Sequence, residues 1–349
     1  MRHVRILGLC LIAAFGVSAM AATSALAHEP GELTGKWKVF KACPLHNAEM
    51  QKAEEEKRAN PSAARGAICL VGRTQGGPDG GHFSLGRVVV PLSKKITLQV
   101  GAIEHCEEPA GPGEGCSAAS NHGTGELELR PVAPENGEKA LEAPELPVPG
   151  GIKVLSESVQ NAAHWPEALK ASFKEAVKNK ESGLKVEIEV AGGNRLFEEE
   201  AGISAECLIG ANCTAFELPL KVSLHNPWLS KLGGGPCLIG TDEHPVVQHL
   251  TTGTSGGMTG EIGELHLFED FTLIEIAHNT LVDNTWPVEV PATGCGGSEY
   301  ESYVDNALSK VLGIPSPAGA GQTILTGTLY DGNAEFAQKN SETGEKFEK

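Results

Sequence analysis

Aromatic side chains are scarce in this 349-residue chain: Phe, Tyr and Trp make up 5% of it. A cleft that holds sugars by stacking shows clustered tryptophans or tyrosines, and Trp37, Trp165, Trp228 and Trp286 lie far apart in sequence. Positive charge is also short, with 28 Lys and Arg against 45 Asp and Glu and a formal net charge of −17. Without a positive field to release counterions from phosphate, the chain is not expected to bind nucleic acid or anionic lipid. Beyond the N-terminal segment no apolar run reaches the roughly 20 residues that a bilayer-spanning helix needs. Alternating strand–helix–strand units are missing, which removes the parallel sheet of an α/β hydrolase. Regular repeats are missing too: CLVG (69–72) and CLIG (207–210 and 237–240) recur at unequal separations of 138 and 30 residues.

The first feature that is present lies at the N-terminus. MRHVR is basic, ILGLCLIAAFGVSAMAA is apolar, and TSALA ends in the small-residue site Ala25-Leu26-Ala27. These are the three parts of a secretory signal peptide, assigned to residues 1–27. Cys10 is not read as a lipidation site, because Leu9 precedes it and the apolar run continues past it. Cleavage after Ala27 leaves 322 residues and removes Arg2 and Arg5 but no acid, so the net charge becomes −19. The expected product is secreted, extracellular or associated with the cell envelope, and carries no transmembrane anchor.

Eight cysteines remain: Cys43, Cys69, Cys106, Cys116, Cys207, Cys213, Cys237 and Cys295. An even number in an exported chain reads as four disulfides, with 105 possible connectivities. Proximity suggests Cys106–Cys116 and Cys207–Cys213, and the simplest completion is Cys43–Cys69 with Cys237–Cys295. Oxidised cysteines leave no thiolates for a metal site or a nucleophile.

Apolar and polar residues alternate in several places. KVEIEV (185–190) puts Val186, Ile188 and Val190 on one face, and ELPLKVSL (217–224) does so with Leu218, Leu220, Val222 and Leu224. Shorter cases are KITLQV (95–100), ELELR (126–130) and ELHL (264–267). Period two with one wet face predicts antiparallel sheet. Pro219 lies on the outward side of its run, which predicts an edge strand or a bulge. PEALKASFKEAVKNK (166–180) carries Leu169, Phe173 and Val177 four apart, a helical stripe opposite Lys170, Lys174 and Lys178. NAEMQKAEEEKRAN is helical in propensity but polar, and reads as an excursion over 47–66 stapled at its base by Cys43–Cys69.

The predicted fold is mainly β, with antiparallel sheets in a sandwich or barrel-like arrangement, one or two helices and disulfide staples. The predicted division is an N-terminal β-rich region (28–130), a Pro/Gly/Glu-rich linker (131–151), a C-terminal β-rich region (152–331) and a flexible tail (332–349).

LTTGTSGGMTG (250–260) is the stretch that raises the question of catalysis. Gly253-Thr254-Ser255-Gly256-Gly257 satisfies G-x-S-x-G and differs by one letter from the serine motif of trypsin-like proteases. Upstream, AIEHC (102–106) places His105 before a cysteine, as such proteases do. The triad also needs a buried aspartate to orient the histidine. Between His105 and Ser255 the only aspartate is Asp242, thirteen residues before the serine. The hydrolase elbow needs a helix after the serine, whereas GGMTGEIGELHL is glycine-rich and then alternating. Ser255 and His105 therefore stand as catalytic candidates, against a reading of 250–257 as a glycine-rich turn whose hydroxyls hydrogen-bond the backbone.

Metal signals are weak. His244 and His249 are five apart, which suits neither a strand face nor a helical pair. Asp331-Gly332-Asn333 lacks the alternating acids and closing glutamate of a calcium loop. No metal and no cofactor is expected.

Several stretches together resemble a group of uncharacterised secreted proteins from actinobacteria: GRVVVPLSKKITLQVG (86–101), ELPVPGG (145–151), LPLKVSLHNPWL (218–229), CLIGTDEHPVV (237–247), LTTGTSG (250–256), LVDNTWPVEVPATGCGG (281–297) and LGIPSPAGAGQTILTGTL (312–329). The resemblance implies export, a shared β-rich fold and paired cysteines, and no assigned activity. It also implies that the TTGT turn belongs to the scaffold. The leading expectation is a non-catalytic binding or structural protein with an unknown partner. The alternatives are a secreted serine hydrolase using Ser255 and a carrier enclosing an apolar ligand.

Overall fold

The computed structural model describes residues 32–59, 66–105, 128–135, 137–160, 164–179, 181–194, 201–208, 213–268 and 272–344, with the backbone alone at 104, 105, 128, 160, 205 and 206. Its first strands are β1 (Ala67–Thr74), β2 (Gly81–Leu85), β3 (Val88–Pro91), β4 (Thr97–His105), β5 (Glu128–Val132), β6 (Leu141–Glu142), β7 (Leu146–Val148) and β8 (Leu184–Val190). The later ones are β9 (Gly202–Ser204), β10 (Phe216–His225), β11 (Cys237–Ile239), β12 (Val246–Leu250), β13 (Thr254–Ser255), β14 (Met258–Thr259), β15 (Glu264–Phe268), β16 (Leu273–Asp283) and β17 (Thr323–Asn333). Among the described residues seven helices accompany them: α1 (Ala48–Ala59), α2 (Ser156–Gln160), α3 (Glu167–Lys178), α4 (Ala205–Leu208), α5 (Pro227–Lys231), α6 (Gly297–Leu312) and α7 (Ala334–Thr343). The chain is mainly β, as its alternation predicts, and among the described residues every pairing between strands is antiparallel.

The large sheet follows the order β15-β16-β17-β1-β4-β5-β9-β10-β8-β7. It also closes on itself. β12 pairs with β10, and Thr251, the residue after β12, exchanges two backbone hydrogen bonds of 3.0 and 2.9 Å with Val282 of β16. Eight strands, β16-β17-β1-β4-β5-β9-β10-β12, thus form a barrel-like circuit with no open edge inside it. Ile68 and Leu70 of β1, Leu98 and Val100 of β4 and Phe216 of β10 belong to the core that fills it.

β1 shows why the sequence AICLVG does not alternate. Ile68 and Leu70 face the main core, while Ala67, Cys69 and Val71 join a second cluster with Trp37, Phe40 and Met50. A strand buried on both faces reads as a continuous apolar run. The second cluster is covered by α1, α7 and the 3₁₀ turn Gly35–Phe40. α1 is therefore more than a polar excursion: Met50, Ala53 and even Glu54 are buried. Gly101 of β4 allows this approach, since a Cβ there would lie 2.3 Å from Met50 Sδ. The Glu54 carboxyl accepts the Ala67 amide at 2.7 Å, and burial pushes its pKa up.

Other expectations are corrected. The chain from 334 to 343 is not a frayed tail but α7, capped by the Asn333 side chain and burying Ala334, Ala337 and Asn340. Its polar composition concealed a narrow stripe of small residues. Within the Pro/Gly/Glu-rich stretch 131–151, β6 and β7 pair with β4 and β8. Pro219 sits in β10, a central strand without a bulge. On one side it pairs with Val247, and on the other β10 changes partner from β9 at Glu217 to β8 at Leu220. The missing N–H of proline falls in that gap, so no ladder bond is lost. Leu265 and Leu267 of β15 form the predicted strand but remain 43% and 37% exposed.

α3 matches its predicted stripe, with Leu169 and Phe173 buried. All four tryptophans are buried in the core. Trp228 meets Phe173 edge-on at 5.2 Å and donates its indole N–H to Ser172 at 3.1 Å. Cys43–Cys69, Cys207–Cys213 and Cys237–Cys295 are disulfides, as the simplest pairing predicts. Cys106 and Cys116 lie outside the described residues. The three bonds indicate an oxidising compartment. Among the described residues no helix is long and apolar enough to cross a membrane.

Asp305 of α6 accepts the Cys295 amide at 2.8 Å. Burial, reinforced by the Glu301 charge, raises its pKa to about 6. The folded value exceeds the ordinary 3.8, so folding takes up a proton between the two. This contribution favours the fold at low pH and is lost as pH rises through about 6. Asp305→Asn should therefore raise the melting temperature relative to the wild type at about pH 7.5, and the gain should shrink on acidification to about pH 4.5. Thermal unfolding followed by circular dichroism at the two pH values checks this.

Candidate functional site

Ser255 lies in the hairpin β13–β14, where Thr254 pairs with Thr259 and Ser255 with Met258. The turn residues are Gly256 and Gly257, at φ 50° and 91°. Two successive positive φ values are what a tight two-residue hairpin demands, and glycine meets that demand at least strain. The side of Gly256 is also crowded, since a Cβ there would fall 1.6 Å from Asn284 Oδ1.

The threonines before the hairpin bind it to a disulfide. Thr251 Oγ1 donates to the Cys213 carbonyl at 2.6 Å, and Thr252 Oγ1 donates to the Cys207 carbonyl at 2.9 Å. Thr251 Oγ1 also accepts the Gly253 amide at 2.9 Å. The Cys207–Cys213 disulfide is thereby fastened to the end of β12.

The Ser255 hydroxyl is fully engaged. It donates to Asp283 Oδ1 at 3.2 Å and accepts the Asn284 amide at 3.0 Å, and the residue is only 6% exposed. Neither partner is a histidine. Asp283 is 0% exposed, and its carboxyl accepts four hydrogen bonds. Oδ2 takes the His249 amide at 2.6 Å, while Oδ1 takes Ser255 Oγ, the Thr285 amide at 2.7 Å and Thr285 Oγ1 at 2.8 Å. One carboxyl thus joins β12, β13 and the end of β16 where the barrel circuit closes.

A serine nucleophile needs a base to take its proton and an open face for the substrate. Here the proton points to a buried carboxyl that already serves three other donors. The His105 side chain lies outside the described residues; its backbone ends β4, opposite Glu128. Asp242 is occupied elsewhere, accepting Lys221 Nζ at 2.8 Å and the Gly192 amide at 2.6 Å. The Lys221 ammonium, helped by the Gly192 amide, holds its pKa below the ordinary carboxylate value.

Asp283 is the residue that sequence reasoning passed over. The available signal was local: in Asp283-Asn284-Thr285 the carboxyl accepts the amide two residues on, the mark of an Asx turn. Its long-range partners, His249 and Ser255, come 34 and 28 residues earlier in the chain.

The histidines are dispersed. His249 Nε2 lies 3.8 Å from Glu217, His278 Nδ1 is 3.0 Å from Gln75 Nε2, and His82 Nε2 is 2.9 Å from Gln322 Nε2. Among the described residues no three His, Cys, Asp or Glu side chains gather to hold a metal ion. Asp331 and Gly332 continue β17 opposite Leu70 and Cys69, and Asn333 caps α7.

A cavity inside the barrel circuit is lined by Leu70, Leu98, Leu129, Phe216, Ile276 and Leu329, among others, and its volume is about 50 Å³. An apolar-ligand site of ordinary size needs roughly 300 Å³ or more. Compared with models of protein families, with curated proteins and with solved structures, the chain matches none.

Proposed function

We propose that the protein is a non-catalytic, exported binding or structural module. The observation that carries this reading is the Ser255 hydroxyl, buried and held between Asp283 Oδ1 and the Asn284 amide. The one motif that suggested hydrolysis thus has a structural use. Export is supported by the signal-peptide pattern of residues 1–27 and by the three disulfides. On this reading the chain ends its maturation with His28 at the N-terminus, which intact-mass measurement of secreted protein tests. The small internal cavity favours recognition at the surface over carriage inside the barrel.

A fluorophosphonate probe tests the central point. The folded wild-type protein should not be labelled, because the hydroxyl is buried and, among the described residues, is held by Asp283 and the Asn284 amide rather than by a histidine. Labelling of the wild type that disappears in Ser255→Ala would overturn the proposal in favour of a serine hydrolase.

A further inference from the structure

The large sheet ends at β15, which pairs only with β16 among the described residues. Among the described residues β15 carries two of the four exposed large apolar side chains, Leu265 and Leu267, and Ile262 just before it is a third. A flat edge strand with exposed leucines is a template for pairing with another strand. The opposite end of the sheet is not equivalent, since β7 there lies beside β3.

We propose that β15 is a self-association edge and that its occupant is β15 of a second copy of this chain, paired antiparallel across a two-fold axis centred on His266. The sequence Glu264-Leu265-His266-Leu267-Phe268 is self-complementary in that register. Leu265 falls opposite Leu267 of the second copy and Leu267 opposite its Leu265. Cross-strand neighbours share a face, so four leucines form one apolar patch. On the other face, Glu264 of the second copy falls opposite Phe268. The Lys36 ammonium stands over the Phe268 ring, 3.0 Å from its centroid. The pairing therefore brings a carboxylate to an ammonium twice, once on each side of the axis. A register shifted by one residue would set leucines against the charged face and lose both matches. Because the contact is isologous, each copy uses the same edge and association closes at a dimer. The net charge, −17 for the full chain and −19 once residues 1–27 with Arg2 and Arg5 are removed, opposes self-association at long range, but at physiological salt such repulsion is screened over about 8 Å while the local pairs remain.

Sedimentation equilibrium of the purified wild type should show a concentration-dependent approach to twice the monomer mass. Leu267→Arg should leave a monomer. Glu264→Lys and Lys36→Glu should each weaken the dimer by about tenfold, and the combined Lys36→Glu/Glu264→Lys protein should recover most of the loss. Far-UV circular dichroism checks that each variant is folded; if Leu267→Arg is not, the charge swap alone decides. A wild type that stays monomeric at every concentration, a dimer indifferent to Leu267→Arg in a folded variant, or a charge swap without recovery would each overturn the proposal.

Discussion

Asp283→Ala is expected to destabilise the folded protein by about 4 kcal/mol, whereas Ser255→Ala is expected to lose only about 1–2 kcal/mol. The difference follows from the number of groups left without a partner. Removing the serine hydroxyl orphans the Asn284 amide and takes one donor from Asp283. Removing the carboxyl orphans the His249 amide, the Thr285 amide and two hydroxyls, all at the seam where β12 meets β16. Asp283→Asn should not rescue the site, because its amide nitrogen would present a donor to another of these donors. For a chain of this size about 2 °C of melting temperature accompanies each kcal/mol, so Asp283→Ala should melt roughly 8 °C lower. Thermal and urea unfolding of the three variants against wild type measure this. If Ser255→Ala costs as much as Asp283→Ala, the carboxyl is not the centre of the network.

The second large effect is expected from Cys237→Ala/Cys295→Ala. The bond closes a loop of 58 residues, and the entropy it removes from the unfolded chain corresponds to about 4 kcal/mol. By the same relation Cys207–Cys213, separated by 6 residues, should contribute only about 2 kcal/mol. Cys237–Cys295 also fixes local geometry. Leu238 and Thr293 exchange backbone hydrogen bonds beside it, and Cys295 donates its amide to Asp305 at the start of the turn into α6. Urea unfolding of the double variants should rank the 237–295 pair well above the 207–213 pair. An equal or reversed ranking would show that the folded geometry, not loop closure, sets the size of each contribution.

The two effects differ in how far they could be read from sequence. The cysteine spacing suggests the pairing, because covalent partners are few and adjacent ones are favoured. The carboxyl network does not announce itself, because a hydrogen bond across 28 or 34 residues leaves no period and no spacing. The serine motif pointed toward catalysis for a related reason. Glycines around a serine serve a nucleophile elbow and a tight hairpin equally well, and the choice depends on which side chain meets the hydroxyl. That side chain is Asp283, downstream of the serine and in direct contact with it.

Strands buried on one face were legible, as β8 and β10 show, since alternation records a wet side and a dry side. β1 was obscured because α1, α7 and the turn Gly35–Phe40 cover its outer face. Leu265 and Leu267 misled in the opposite direction: their alternation predicts a buried face, and among the described residues the sheet ends at β15 with both side chains exposed. By itself the sequence determined the β class, the candidate disulfide pairs, the helix near Leu169 and Phe173 and the acidic charge, because each rests on local period, count or composition. Only the tertiary structure decided the closure of the barrel at Thr251 and Val282, the burial of Ser255 against Asp283 and the exposure of β15. Those depend on which segments meet across the fold, and the energies that select such meetings come from packing and from satisfying buried polar groups, neither of which a linear pattern encodes.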